Sequence, residues 1–273
     1  MKQIAFYHVY LCDDLGTWSH MFLETMKTME DANLLANLDE LRVNVVSKKD
    51  GRERAFLDLL LHTDWYTPSP LKIKVDLIEN PYKDDTEMLS NIEGNKTITE
   101  NYTYRKMWND ARDEDARYLY IHTKGITSTD NLLRRGNAKK FKMYYYWRQY
   151  LTWGAIENWR KCVDALETHD VAGVNFYESP APHYSGAFWW ANTRYLRTLA
   201  SPATKDWWKK LQGETSDHWL ATCSDRFRDE MWLCNSRDPA MKEPKCFNLQ
   251  HLPQQHNPAA ILLPRRYYDN TTP

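Results

Sequence analysis

A polar triplet follows a predicted buried strand near the middle of the chain. In "RYLYIHTKGIT", residues 117–127, the strand-like run ends on His122, Thr123 and Lys124, and Gly125 comes next. A lysine ammonium and an imidazole can both bind an anion, and a glycine lets a ligand approach the backbone closely. The chain has a formal net charge of -1, so any anion must be held by a local cluster of this kind. The triplet predicts an anion site, and the alternative is an ordinary solvated transition from strand to loop.

The elements that must position this triplet alternate in type along the chain. The hydrophobic pattern predicts strands at 3–11, 41–47, 71–80, 117–123 and 171–176, and helices at 17–38, 51–63 and 99–116. Strands and helices in alternation indicate crossover connections and a mostly parallel sheet. In open sheets of this class, ligands bind beyond the carboxyl ends of the strands, which is where the triplet lies. We therefore expect an α/β fold with a mostly parallel sheet flanked by helices.

Composition argues against several classes of protein. No window reaches the roughly 18 apolar residues of a membrane-spanning helix. The N-terminal segment contains Asp13 and Asp14 before any small-residue cleavage site, which argues against a secretory signal peptide. The five cysteines are odd in number and have no close pairs, which argues against a disulfide framework. We expect a cytoplasmic protein without a transmembrane segment, and peripheral contact with a membrane stays open.

The common nucleotide and metal motifs are absent from the sequence. It contains no G-x-G-x-x-G, no P-loop, no Cys-x-x-Cys and no His-Glu-x-x-His, which argues against a standard dinucleotide fold, a P-loop nucleotidase and a familiar zinc site. The acidic run Asp113–Asp115 precedes the strand instead of following it, and Asp84 and Asp85 follow a turn. Neither acidic group is expected to bind a metal.

The predicted helix, the strand and its three-residue tip together resemble the nucleotide-sugar site of GT-A glycosyltransferases. In those enzymes the tip is normally Asp-x-Asp, and its carboxylates hold Mn²⁺ or Mg²⁺ on the donor diphosphate. A second motif, "HYSGAFWWANTRYLRTL" at 183–199, is similar to their sugar-binding loop. With "IHTKG" it resembles the small, xylosyltransferase-like enzymes that large algal viruses encode to build N-glycans. The likeness covers about residues 1–235.

This resemblance implies an organisation and a pair of substrates. It implies a GT-A-like, Rossmann-type domain at 1–238 and an irregular C-terminal arm at 239–273 that packs on the same domain. The implied donor is a UDP-sugar, with UDP-xylose suggested by the viral enzymes. The implied acceptor is a hydroxyl of a glycan, such as the N-glycan of a viral glycoprotein.

The His-Thr-Lys tip alters the chemistry that the resemblance implies. Transfer from a nucleotide sugar expels a nucleoside diphosphate, whose developing charge must be neutralised. Lys124 supplies a charge and His122 a hydrogen bond where a metal would lie, so we expect transfer without a metal or other cofactor. Arg265, Arg266 and Tyr267 on the arm could also reach the phosphates, or form an exposed basic tail. The nucleotide-sugar residues implied by the resemblance are His8, Tyr10, His122, Thr123, Lys124 and Gly125.

The second motif implies the contacts with the sugar and the acceptor. Its small pair, Ser185 and Gly186, would let a sugar approach the backbone. Trp189 and Trp190 point to opposite faces if they lie on a strand, so at most one can stack on a sugar. The implied acceptor and sugar residues are Glu178, His183, Tyr184, Ser185, Gly186, Trp189 and Trp190.

An inverting transferase needs a carboxylate to deprotonate the attacking hydroxyl. In the resembled enzymes this base comes late, near a helix start, where "SDRFRDEMWLCN" offers Asp229 and Glu230. Neighbouring helical side chains diverge by about 100°, so only one of the two can face the site. Both stay candidates, against the alternative of a solvated helix face paired with Arg226 and Arg228. Asp76 is a weaker candidate.

Two other functions compete with a transferase. A lectin-like module that binds carbohydrate without chemistry would explain the 12 tryptophans and 17 tyrosines. The stretch "AKKFKMYYYWRQYLTW", residues 138–153, interleaves basic and aromatic side chains, as in single-strand nucleic-acid grooves or interfacial helices. The balanced net charge argues against nucleic acid. The sequence favours a glycosyltransferase.

Overall fold

The structure is a computed structural model, and it describes residues 1–12, 15–47, 52–61, 71–78, 89–92, 95–98, 100–125, 138–223, 227–237 and 243–249. Its strands are β1 (Lys2–Leu11), β2 (Glu40–Ser47), β3 (Lys72–Ile78), β4 (Leu89–Ile92), β5 (Asn95–Ile98), β6 (Ala116–His122), β7 (Val171–Gly173), β8 (Phe176–Tyr177), β9 (His183–Tyr184), β10 (Trp189–Asn192) and β11 (Cys246–Asn248).

Seven of these strands form one sheet in the order β11-β7-β10-β6-β1-β2-β3. All neighbours are parallel except β10, which runs antiparallel to both β6 and β7. The remaining strands form two hairpins, β4 with β5 and β8 with β9. Because β1, β2, β3 and β6 are parallel, their carboxyl ends meet at one edge of the sheet.

Helices cover both faces of this sheet. They are α1 (Leu15–Asp31), α2 (Arg52–Leu61), α3 (Asn101–Asp113), α4 (Ala138–Thr152), α5 (Trp159–Ala165), α6 (Thr193–Leu196), α7 (Asp206–Glu214), α8 (His218–Thr222) and α9 (Arg228–Asn235). A 3₁₀ turn lies at Leu35–Asn37, and a π-helical turn at Trp153–Glu157 extends α4.

Two hydrophobic clusters lie on the opposite faces of the sheet. Alternation along β1 sends Tyr7 into the cluster shared with α1, α2 and α4, and Phe6 into the cluster shared with α3, α7 and α9. Trp190 and Trp189 divide between the same two clusters. Residues on both faces of β2 are buried, as expected for a central parallel strand.

The predicted α/β class is confirmed. The chain forms a mixed α/β domain whose mostly parallel sheet is flanked by helices, consistent with a Rossmann-like fold. The sequence did not predict the β4–β5 hairpin, whose four-residue strands, LSNI and NKTI, mix strand-forming residues with Ser, Asn and Lys and are too short to show a pattern. It also predicted an irregular C-terminal arm, whereas residues 246–248 form the edge strand β11 beside β7. No helix among the described residues is long and apolar enough to cross a membrane.

Candidate functional site at the carboxyl edge of the sheet

The predicted triplet lies at the carboxyl end of β6, beside the end of β1. Thr123 joins the two strands: its N–H donates to the His8 carbonyl at 3.1 Å, and its hydroxyl accepts from the Tyr10 N–H at 3.1 Å. Gly125 has a φ of +77°, which favours glycine, and a Cβ there would lie 3.2 Å from Tyr144. Thr123 and Gly125 therefore hold the backbone that presents Lys124.

Lys124 forms an ion pair with Glu230, at the first turn of α9. The Lys124 Nζ lies 3.1 Å from Glu230 Oε1 and 4.4 Å from the ring centroid of Trp147 on α4. The side chains are 11% and 22% exposed, so both are largely withdrawn from water. Two residues that lie 106 positions apart, and for which the sequence predicts different roles, thus meet in one site.

Asp229 lies in a different environment from its neighbour Glu230. Its side chain is 3% exposed, its Oδ1 accepts from Asn101 Nδ2 at 3.1 Å, and the same oxygen lies 3.6 Å from Arg228 Nε. Arg228 is 1% exposed, so this end of α9 is not the solvated face considered as an alternative. Asp229 anchors α9 to the start of α3, while Glu230 is the carboxylate that reaches Lys124.

Charge around Glu230 keeps its carboxyl ionised. Burial alone would raise the pKa of Glu230, but Lys124 and then His183 outweigh burial and lower that pKa below its usual value. Glu100 acts in the opposite sense, because it is a second carboxylate close by. A carboxylate that is ionised and partly exposed can accept a proton from a hydroxyl placed against it.

A second polar cluster surrounds His122. The His122 Nδ1 lies 2.9 Å from Glu100 Oε1, and the His8 Nδ1 lies 2.9 Å from the Thr103 hydroxyl. Burial would raise the pKa of Glu100, but the hydrogen bond with His122 and the charges of His122 and His8 hold that pKa well below its usual range. Nδ1 of His122 must carry the proton to donate to this carboxylate. The His122 Nε2 is buried and has no hydrogen-bond partner among the described residues.

Sequence reasoning missed Glu100, Thr103 and Trp147 as parts of this site. In the sequence, Glu100 lies near the start of the helix predicted at 99–116, and Trp147 lies within the aromatic, basic stretch at 138–153. A signal for Glu100 and Thr103 existed in their spacing, because residues three apart on a helix share a face. Both side chains of that face contact a histidine of the sheet.

The buried His8 is expected to make the free energy of unfolding depend on pH. Burial lowers the pKa of His8 to about 4 from an ordinary value of 6.5, with Glu100 opposing the shift. The unfolded chain then binds a proton between pH 6.5 and 4 that the folded chain does not, so stability falls as the pH falls through this window. The loss from this group should reach roughly 3 kcal/mol near pH 4.

Denaturant unfolding of the wild type and of His8→Gln at pH 7, 5.5 and 4.5 measures this dependence. The variant should be less stable than the wild type at pH 7, because the buried contact with Thr103 is altered. Its stability should nevertheless fall less steeply with acid. Parallel pH curves for the two proteins would show that His8 does not titrate as described.

The structure separates Asp76 from the Lys124–Glu230 pair. A register row across the sheet joins His122, His8, Asn44 and Asp76 on adjacent strands. Three strand spacings separate Asp76 from His122, or about 14 Å. Asp76 instead accepts from Tyr102 at 3.1 Å and pairs with Lys106 at 3.2 Å, so it is not positioned as the base of this site.

The second sequence motif also reaches the site. Gly186 has a φ of +91°, and a Cβ there would lie 2.5 Å from Leu151 and 3.1 Å from Trp147 Nε1. His122 contacts Phe188 edge-on, with 5.5 Å between the ring centroids. Trp147 therefore contacts both predicted motifs, since Lys124 lies over its ring and Gly186 against its edge.

Other residues of the second motif form hydrogen bonds within the protein. His183 Nδ1 lies 2.8 Å from the Ala181 carbonyl, and the Tyr184 hydroxyl donates to the Phe247 carbonyl at 2.9 Å. The Ser185 N–H donates to the Asn175 carbonyl at 3.0 Å. All three residues are buried, and of these only His183 acts on the charge of Glu230.

Trp189 and Trp190 point to opposite faces of β10, as predicted, but both faces are covered. Trp189 stacks with Tyr120 at 5.3 Å, and the Trp190 Nε1 donates to the Ala155 carbonyl at 2.8 Å. Neither ring is accessible to a sugar, which corrects the prediction that one of them could stack on it. The pattern could not reveal this, because the helices on each side decide whether a strand face is open.

Glu178 is exposed and lies in a groove of about 1000 Å³ whose lining includes neither Lys124 nor Glu230. The groove is lined by residues that include Phe176, Pro182, Trp207 and Asn235. Among the described residues, no group of three or more His, Cys, Asp or Glu side chains could hold a metal ion. Arg265, Arg266 and Tyr267, the two aspartate pairs at 13–14 and 84–85, and most of the arm lie outside the described residues.

A known family matches the larger part of the chain. The model of a family described as a domain of unknown function (DUF8361) matches residues 67–248, which include β6, α4, the second motif and α9. A search of the curated proteins found no match.

Proposed function

The chain belongs to the DUF8361 family, and from the geometry of its site we propose that it is a glycosyltransferase. The proposed reaction transfers a sugar from a UDP-sugar to a hydroxyl of a glycan. The observation that carries this proposal is the ion pair between Lys124 and Glu230. It unites the cation expected to face the donor diphosphate with a carboxylate expected to activate the acceptor.

The architecture supports a GT-A-type sheet. Numbering only the strands of the main sheet along the chain, the order is 3-2-1-4-6-5-7, and the sixth strand alone is antiparallel. GT-A enzymes have a mostly parallel sheet of this kind and bind the nucleotide sugar at its carboxyl edge. In this protein Lys124 follows β6 at that edge and pairs with Glu230.

The proposed chemistry assigns one step to each member of the pair. Glu230 accepts the proton of the acceptor hydroxyl, whose oxygen forms a bond to the anomeric carbon. The bond from that carbon to the diphosphate oxygen breaks, and the leaving UDP keeps the electron pair. Lys124 stabilises the negative charge that develops on the leaving group, and charge stabilisation of this kind often contributes more to catalysis than any other single effect.

A single displacement of this kind inverts the anomeric configuration. Lys124 and the His122–Glu100 pair fill the place where the resembled enzymes carry metal-binding carboxylates, so we propose that transfer is metal-independent. UDP-xylose as donor and a viral N-glycan as acceptor follow from the sequence resemblance alone. The groove beside Glu178 offers room for part of an acceptor, because its volume falls within the range of ligand sites.

A screen of UDP-sugars tests this proposal. Each donor is assayed for UDP release and for thermal stabilisation of the protein, in EDTA and again with Mn²⁺. At least one donor should stabilise the protein and be hydrolysed at equal rates in both conditions. Activity that is lost in EDTA and restored by Mn²⁺ would contradict metal independence.

The same screen separates a transferase from a lectin-like module. A lectin-like module would bind free glycans but would show no stabilisation by UDP or UDP-sugars.

The anomeric configuration of the product, read from NMR coupling constants, tests inversion. An α-linked product from an α-linked donor would show that the mechanism is retaining.

A further inference from the structure

The Lys124 ammonium is already occupied in the free protein. It has three N–H donors, one of which is directed to Glu230 at 3.1 Å, and one side of it is covered by the Trp147 ring. With its side chain 11% exposed, Lys124 has little room for a further ligand that does not disturb these contacts. A ligand that requires this ammonium must therefore share it with Glu230 or displace Glu230.

We propose that Glu230 is a built-in competitor of the donor diphosphate, and that donor binding releases Glu230 to act as the base. This inference rests on the proposed function. A diphosphate carries more charge than one carboxylate and offers several acceptor oxygens to the same ammonium. It also repels Glu230, so the donor takes over Lys124 and the carboxylate moves toward the acceptor.

The other charges that face Glu230 favour this exchange. His183 on β9 attracts the carboxylate, and Glu100 at the start of α3 repels it. On α9 itself, Asp229 is held by Asn101 and Arg228, so Arg228 is directed to a different carboxylate. Lys124 is thus the first of the groups that attract the Glu230 carboxylate, and His183 still attracts it when the diphosphate takes over Lys124.

The exchange makes Glu230 a stronger base only when the donor is bound. Lys124 is the first of the charges that lower the pKa of Glu230, while burial raises that pKa. Sharing Lys124 with a diphosphate therefore moves the pKa upward, and a carboxylate with a higher pKa accepts a proton more readily. We expect the donor to bind before an acceptor hydroxyl can be activated.

The affinity of Glu230→Gln for UDP tests this inference. The glutamine side chain has a similar shape but no charge, so it does not compete for Lys124. Titration calorimetry should show that the variant binds UDP about tenfold more tightly than the wild type does. Uridine, which has no phosphate, should bind both proteins equally. Glu30→Gln on α1 serves as the control, because it removes the same charge from an exposed site that pairs with Lys27.

The outcomes separate this inference from the function on which it rests. Unchanged or weaker UDP binding by Glu230→Gln, with measurable binding by the wild type, overturns the exchange and leaves the proposed function standing. Absence of UDP binding by both proteins overturns both. If Glu230→Gln does not fold, Glu230→Asp replaces it, since the shorter carboxylate reaches Lys124 less well and should tighten UDP binding by a smaller factor.

Discussion

Replacing Lys124 with alanine is expected to reduce the turnover of the UDP-sugar by about 10²- to 10³-fold, the range found when one preorganised electrostatic contact is removed. The reason is that Lys124 is the cation at the carboxyl edge that is placed to neutralise the leaving diphosphate. Binding of UDP should weaken as well. Both effects are measured by initial rates at saturating donor and by titration with UDP.

Stability should also fall in this variant, but by less than the loss of a fully buried pair would cause. The substitution removes an ion pair whose side chains are 11% and 22% exposed and one contact with an aromatic ring, so the cost should lie between about 1 kcal/mol for a surface pair and about 3 kcal/mol for a buried one. Denaturant unfolding measures this directly. Lys27→Ala is the matched control, since Lys27 is an exposed lysine of α1 that also forms ion pairs, with Glu30 and Asp31. A Lys124→Ala protein with wild-type turnover would remove the central assignment.

Local patterns in the sequence were sufficient to locate the edge of the sheet where the site lies. The alternation in β1 and β6 is a short-range property. The rule that ligands bind at the carboxyl ends of parallel strands can be applied without knowing which side chains contact one another. This is why the placement of His122 and Lys124 could be predicted. The choice between Asp229 and Glu230 could not, because it depends on the rotation of α9 when it packs against α3 and α7.

Long-range packing also decided what became of the aromatic residues. The prediction that Trp189 and Trp190 diverge follows from strand geometry alone. Whether either ring is exposed depends on helices that come much earlier or later in the chain: Trp190 packs under the turn after α4, and Trp189 stacks on Tyr120 and Tyr104. By contrast, Trp219 on α8 has 45% of its surface exposed. The composition gives the number of aromatic residues but does not reveal which of them face solvent.

Glu230→Gln and Asp229→Asn are expected to separate catalysis from folding in opposite ways. In Glu230→Gln, the carboxylate that accepts the proton is lost, so transfer should fall by about 10²- to 10⁴-fold. Its stability should fall less than that of Asp229→Asn, since the side chains of the lost ion pair keep 11% and 22% of their surface exposed whereas Asp229 and Arg228 keep 3% and 1%. The same variant should bind UDP more tightly than the wild type, so its low activity would not reflect a loss of donor.

Asp229→Asn should instead be much less stable than the wild type and keep its catalytic activity. Neutralising Asp229 leaves Arg228, at 1% exposure, as a buried cation without its nearest described carboxylate, and breaking a buried pair in this way costs about 3–5 kcal/mol. The contact with Asn101 ties α9 to α3, so the loss should appear in denaturant unfolding and in the melting temperature. Turnover per folded molecule, measured well below that temperature, should stay within a few-fold of the wild type. The reverse result, an inactive but stable Asp229→Asn and a fully active Glu230→Gln, would make Asp229 the base and leave the Lys124–Glu230 pair a purely structural contact.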